Sequence, residues 1–211
     1  MSKYVQYGCG QIAPDGWLNF DVSPTLRLQR VPLLRLILKP YFDVHFPKNA
    51  KYGNIVKGLP GISENSCDAV FSSHVLEHIS LNSCRIALKN TYKILKPDGV
   101  FRVIIPDLWP CVEKYIKEYK QADKDASINF INCTMMGTEK RLYGFKAFMK
   151  ANYGSEAHLW MWDKYSFAEE IRKVGFKSVK PYSFTDKKDK MFELVEEEER
   201  FRDSLAFEAI K

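Results

Sequence analysis

Short apolar runs alternate along this chain with stretches of helical period, and glycine, proline and small polar residues punctuate them. Residues 5–7 and 17–21 read as two strands joined by a connection too short for an ordinary crossover helix, with Pro14 and Gly16 inside it. Residues 26–38 predict a helix broken at Pro32, and residues 39–53 an irregular stretch. Tyr52 to Val56 predicts a short strand or the entry to a turn. Residues 67–72 form an apolar strand pattern ending in small polar residues. A helix over 76–95 follows, with Leu76, Ile79, Ile86, Leu88, Tyr92 and Leu95 as its buried stripe. Lys96-Pro97-Asp98-Gly99 is a turn signal, and the β-branched run 100–105 is the next strand. A helix over 111–119 presents Val112, Tyr115, Ile116 and Tyr119 on one face, and residues 120–160 are less regular. Residues 166–174 predict a helix stopped by Gly175, and residues 176–182 and 205–210 two strands that pair as an edge hairpin.

Strand, helix, turn and strand in succession argue for an α/β protein with a mostly parallel sheet and an antiparallel carboxy-terminal edge. A length of 211 residues suits one domain, with a cap insertion expected at about 110–165. Apolar residues at 45% and charged residues at 27% are ordinary for a globular chain. The net charge of +6 is diffuse, which favours anionic small ligands and argues against nucleic-acid binding, where a basic stripe is expected. The longest apolar run, 31–38, is too short to span a bilayer and contains Arg35. Cys9, Cys67, Cys84, Cys111 and Cys133 are scattered without zinc spacing, so reduced thiols, no metal and a cytoplasmic setting are expected. No leader pattern precedes Tyr4. Nothing in the pattern points to a particular oligomeric state.

The candidate chemistry lies at predicted strand ends, where open α/β sheets bind ligands. Gly8 and Gly10 flank Cys9 in a turn that lets a ligand approach the backbone. Asp21 closes the second strand with a carboxylate suited to ribose hydroxyls. Asn54 and Ile55 stand at a third end, Ser72, Ser73 and His74 at a fourth, and Asp107 at a fifth. Ser73 has two readings, a helix cap or a ligand contact. The adjacent Glu77 and His78 are expected to diverge on a helix, which argues against a shared metal. His158, Trp160 and Trp162 form an aromatic cluster, read either as packed core or as a pocket wall with His158 pointing in.

Taken together, Tyr7-Gly8-Cys9-Gly10, Asn19-Phe20-Asp21, Gly58-Leu59-Pro60, the 68–78 segment with Val75-Leu76-Glu77-His78, Leu95-Lys96-Pro97-Asp98-Gly99 and Val103 to Asp107 resemble class I S-adenosylmethionine-dependent methyltransferases. The resemblance is closest to a methyltransferase-type-11-like bacterial group, some of whose members sit among polysaccharide-biosynthesis functions. It covers nearly the whole chain and implies a Rossmann-like sheet with a helical cap. It further implies that Gly8, Cys9 and Gly10 pass under the methionine portion of S-adenosylmethionine and that Asp21 holds the ribose. Asn54 and Ile55 would flank the adenine, and Ser72, Ser73 and His74 would lie near the sulfonium. The expected reaction is O-methylation of a small-molecule or glycan acceptor, with His74, Asp107 or His158 as general base. The short connection from Gly10 to Asp21 and an amide at position 54 depart from the group's usual pattern. A second reading is a non-catalytic cofactor-binding subunit of a surface-glycan assembly. A dinucleotide enzyme is a third, weakened by the absence of a third glycine.

Overall fold

The computed structural model describes residues 2–32, 45–138, 157–186 and 189–211. The elements, in chain order, are β1 (Tyr4–Tyr7), β2 (Trp17–Asp21), α1 (Pro24–Gln29), β3 (Ala50–Tyr52), β4 (Cys67–Ser73), α2 (Leu81–Ile94), β5 (Leu95–Pro106), α3 (Trp109–Lys120), α4 (Ala126–Thr134), α5 (Lys164–Val174), β6 (Ser178–Pro181) and β7 (Ser204–Ile210). One seven-stranded sheet runs β3-β2-β1-β4-β5-β7-β6. The first five strands of that order are parallel, and β7 pairs antiparallel with both β5 and β6. This is the predicted sheet with its antiparallel edge. The order reverses between β1 and β4, so the carboxyl ends of these two strands flank the topological switch point.

No helix is described between β1 and β2. A buried amide pair organises the short connection instead. Gln6 Nε2 donates to Asn19 Oδ1 at 2.6 Å and to the Ile12 carbonyl at 2.7 Å. Asn19 Nδ2 donates in turn to the Pro14 carbonyl at 3.0 Å. Both side chains are buried, so this pairing meets the hydrogen-bonding demand that burial imposes.

One face of the sheet packs Val5, Tyr7, Val70, Phe101 and Val103 against α2 and α5. Helix α2 begins at Ser80, whose hydroxyl accepts from the Ser83 amide, and it buries Cys84, Ala87, Leu88, Thr91 and Ile94. That stripe corrects the predicted one. The small residues Cys84 and Ala87 face the sheet, and Ile86 lies only half-buried. Arg85 on α2 donates Nε and Nη2 to the Glu170 carboxylate of α5 at 2.7 and 2.9 Å, pinning the two helices together.

The opposite face packs Trp17, Phe71 and Ile104 against Phe192 and Val195 from the long connection between β6 and β7. Arg102 lies on this side, 1% exposed. It donates to Glu196 at 3.0 Å, to Glu208 at 2.9 Å and to the Asp186 carbonyl at 3.0 Å. The Tyr182 and Phe192 rings cover its guanidinium.

Other expectations are revised. Residues 96–99 belong to β5, where a register shift against β4 and the left-handed backbone of Asp98 absorb the turn signal as a bulge. The predicted helix over 76–95 is a single 3₁₀ turn, Leu76–His78, followed by α2. Helix α4 occupies part of the stretch read as irregular. On α3 only Cys111 is fully buried, while Ile116 and Tyr119 are exposed. Cys111 and Cys133 form a disulfide that ties α3 to α4, so two of the five expected thiols are paired; Cys9, Cys67 and Cys84 are free and buried. Most of the 31–38 run, and all of the 139–156 stretch within the expected cap, lie outside the described residues. Among those described, no helix is long and apolar enough to cross a membrane.

Candidate functional site

The turn after β1 has the left-handed backbone that glycine tolerates, with φ of +73° at Gly8 and +52° at Gly10. Its two glycines differ in what surrounds them. A Cβ on Gly8 would stand 2.0 Å from Cγ2 of Val75, so Gly8 is closed by packing. A Cβ on Gly10 would meet no atom within 4 Å, which leaves that side open to a ligand. Between them the Cys9 amide donates to the Phe20 carbonyl at 3.0 Å, and burial pushes the thiol up to about 12, so it stays neutral.

Asp21, at the end of β2, ties the turn together. Its Oδ2 accepts from the Gly10 amide at 3.0 Å and its Oδ1 from the Ser23 amide at 2.8 Å. Each carboxylate oxygen has a second lone pair, so two acceptor positions remain for hydroxyls. The backbone of Gly10 and the carboxylate of Asp21 therefore form one unit, which sequence spacing alone did not reveal.

Asn54 and Ile55 follow β3. The Asn54 Oδ1 accepts from the Val56 amide at 2.9 Å, so one lone pair of that oxygen is already used. Ile55 is in the core, and its carbonyl accepts from Asn90 Nδ2 at 2.7 Å. At the end of β4, Ser72 is buried on the face shared with Val70. Ser73 Oγ and His74 Nδ1 are buried atoms with no hydrogen-bonding partner among the described residues. His74 has a left-handed backbone, φ +54°, and its amide donates to the Ile104 carbonyl at 2.9 Å. Burial, with a smaller repulsion from Arg200 and from the His78 and His158 imidazoles, pushes its pKa down to about 4. Its ring is accordingly neutral at neutral pH.

Asp107 follows β5. Its Oδ1 accepts from the Trp109 amide at 2.9 Å at the entry to α3, and its backbone bridges Trp162. The aromatic segment divides between its two readings. Trp162 joins the core against Phe167, whereas Leu159 and Trp160 are exposed. His158 is buried, and its Nδ1 lies 2.9 Å from the Thr134 carbonyl.

Glu77 and His78 do not diverge as expected. The 3₁₀ turn brings Glu77 Oε1 within 3.6 Å of His78 Nε2, and the His78 ring meets His158 edge to face at 5.0 Å. Glu77 is 1% exposed, and burial raises its carboxyl to about 8. The leucine and histidine flanking Glu77 gave no sign in the sequence that its side chain would be buried.

The open side of Gly10, the unused acceptor capacity of Asp21 and the unpaired Ser73 and His74 atoms lie on neighbouring strand ends. They fit an extended, hydroxyl-bearing cofactor such as S-adenosylmethionine. Residues 43–103 match the methyltransferase domain family, a span that contains Asn54, Ile55 and Ser72 to His74. No curated protein sequence matches the chain. In fold, it is similar to a SAM-dependent methyltransferase from Archaeoglobus fulgidus, at 14% identity and a TM-score of 0.51, covering 100% of this chain and 86% of that one. It is likewise similar to a SAM-dependent methyltransferase and possible histamine N-methyltransferase from Thermotoga maritima, at 16% identity and a TM-score of 0.51, covering 100% and 83%. The chain therefore carries a methyltransferase-domain match over residues 43–103 and shares its sheet fold with these methyltransferases.

Proposed function

We propose that the protein is an S-adenosylmethionine-dependent methyltransferase that methylates an oxygen of a small hydroxylated molecule or glycan, and that His74 is the general base. The observation carrying this reading is the buried Nδ1 of a neutral imidazole, unpaired among the described residues, at the carboxyl end of β4, next to the topological switch point. When bound, S-adenosylmethionine supplies an activated methyl group, so the protein's task is chiefly alignment. In this reading Asp21 accepts from the ribose hydroxyls, and Gly10 leaves room for the methionine portion against the backbone. Asn54, with one lone pair already used, and Ile55 bound the adenine, while Ser73 and His74 face the reacting end.

A hydroxyl acceptor must lose its proton as the methyl group arrives. His74 takes that proton on an imidazole nitrogen, which is available because burial keeps the ring neutral. Its depressed basicity limits the driving force, so close alignment has to supply much of the rate. Asp107 is less suited, since one of its carboxylate oxygens is committed at the start of α3. His158 donates Nδ1–H to a carbonyl and faces His78. In this reading α3 and α4 belong to the cap on the acceptor side, and the working compartment is the cytoplasm.

A labelled-methyl assay against a panel of hydroxylated acceptors and cell extracts tests the proposal. With an acceptor in hand, His74→Ala is expected to lower kcat by about 10²–10⁴-fold while S-adenosylhomocysteine affinity stays within about twofold. An unchanged kcat removes His74 from the role, and transfer confined to nitrogen or carbon acceptors overturns the oxygen assignment.

A further inference from the structure

We propose that Glu77, His78 and His158 form a two-histidine, one-carboxylate site for a first-row divalent transition metal, zinc foremost. Each residue offers one ligand atom, and the three atoms lie within 4.8 Å of one another. Zinc bonds of about 2.0–2.2 Å would hold such ligands roughly 3.4 Å apart, so a closure of at most about 1.4 Å at the widest pair completes the set.

The surroundings are those a metal site requires. His78 Nδ1 lies 3.2 Å from the Ala157 carbonyl, and His158 Nδ1 lies 2.9 Å from the Thr134 carbonyl. A carbonyl only accepts, so in both neutral rings the hydrogen sits on Nδ1 and the lone pair on Nε2. Backbone carbonyls that fix a tautomer in this way are the usual outer partners of metal-binding histidines. Glu77 completes the argument. Its carboxylate is buried, and neither oxygen has a hydrogen-bonding partner among the described residues. Its Oε1 lies 3.6 Å from Nε2 of His78, which in this tautomer can only accept. Two lone pairs and an unpaired carboxylate facing one another repel unless a cation or a proton stands between them.

Two imidazole nitrogens with a single carboxylate suit zinc, cobalt or nickel far better than magnesium or calcium, which favour all-oxygen sets. Three protein ligands leave a position open for water or another small ligand. The bound metal would join the 3₁₀ turn after β4 to residue 158. That segment already docks on the turn, because the Leu159 and Trp160 amides both donate to the Glu77 carbonyl. The site does not depend on which acceptor the enzyme methylates.

Chelator-treated full-length protein, titrated with zinc and separately with cobalt(II), tests this. The expected result is uptake of one equivalent, visible ligand-field bands of low-coordinate cobalt, and displacement of cobalt by zinc. His158→Gln and His78→Gln, checked for folding by circular dichroism, should each weaken zinc binding by more than about 100-fold and abolish the cobalt bands. Absence of stoichiometric uptake by the wild-type protein overturns the site and leaves a protonated Glu77 as the group that satisfies the pocket. Uptake unchanged in both variants also overturns it. The wild-type spectrum decides the matter even if neither variant folds.

Discussion

Gly8 and Gly10 look equivalent in sequence, yet their neighbourhoods give them different duties. Val75 fills the space beside Gly8, whereas the space beside Gly10 is open. Gly8→Ala should therefore destabilise the fold, by about 1–3 kcal/mol from overpacking with a further cost of about 1 kcal/mol for the left-handed backbone. Urea unfolding measures this, and combining it with Val75→Ala should cost less than the sum of the two single changes. Gly10→Ala should carry only the backbone cost and show its effect in cofactor affinity. Equal losses of stability at both positions would contradict the distinction. The sequence marked both glycines, Asp21, Ser73 and His74 because each ends an apolar run. It concealed the Asp21–Gly10 hydrogen bond and the Glu77–His78–His158 cluster, since both depend on how loops close between strands.

Two ionic contacts hold elements together, and they differ in kind. Arg85 and Lys173 hold the Glu170 carboxyl well below its ordinary range, at about 2, with Arg85 the larger influence. A carboxyl depressed in the folded state contributes stability that is complete above its unfolded pKa, near 4.5. That contribution fades as pH falls from there toward about 2. Arg85→Met should thus flatten the acid limb of stability in this window relative to wild type, as measured by denaturant unfolding at stepped pH. An identical pH dependence in both proteins would show that the contact contributes nothing between α2 and α5. Arg102 is fully buried, so its removal takes a charge-paired partner from the buried carboxylate of Glu196. Arg102→Ala should cost about 3–5 kcal/mol in urea unfolding, and a loss below about 1 kcal/mol would contradict its structural role. Helix boundaries were harder to read than these strands. The period over 76–95 continues across a 3₁₀ turn because Leu76 and Leu88 both face the core, while α4 exposes Ile128 and Ile131 and so lacks a readable buried stripe.

Across the whole molecule, the parallel sheet and its antiparallel edge were legible because buried strands carry dense β-branched and aromatic residues between sharp turns. The short β1–β2 connection was legible for a simpler reason, that too few residues separate the strands for a helix. What joins distant parts was not legible. The disulfide between α3 and α4, the Arg102 cluster under the β6–β7 connection and the Gln6–Asn19 pair each unite residues that no local pattern relates. The proposed methyltransferase function draws these levels together, since it would put cofactor recognition at the carboxyl ends of β1, β2 and β4. Isothermal calorimetry with S-adenosylhomocysteine, on wild type and Asp21→Ala, tests it most directly. The account predicts one site with a dissociation constant of about 1–100 μM in the wild type, weakened at least about tenfold in a folded Asp21→Ala. No binding by the wild type, or equal binding by both proteins, would contradict it.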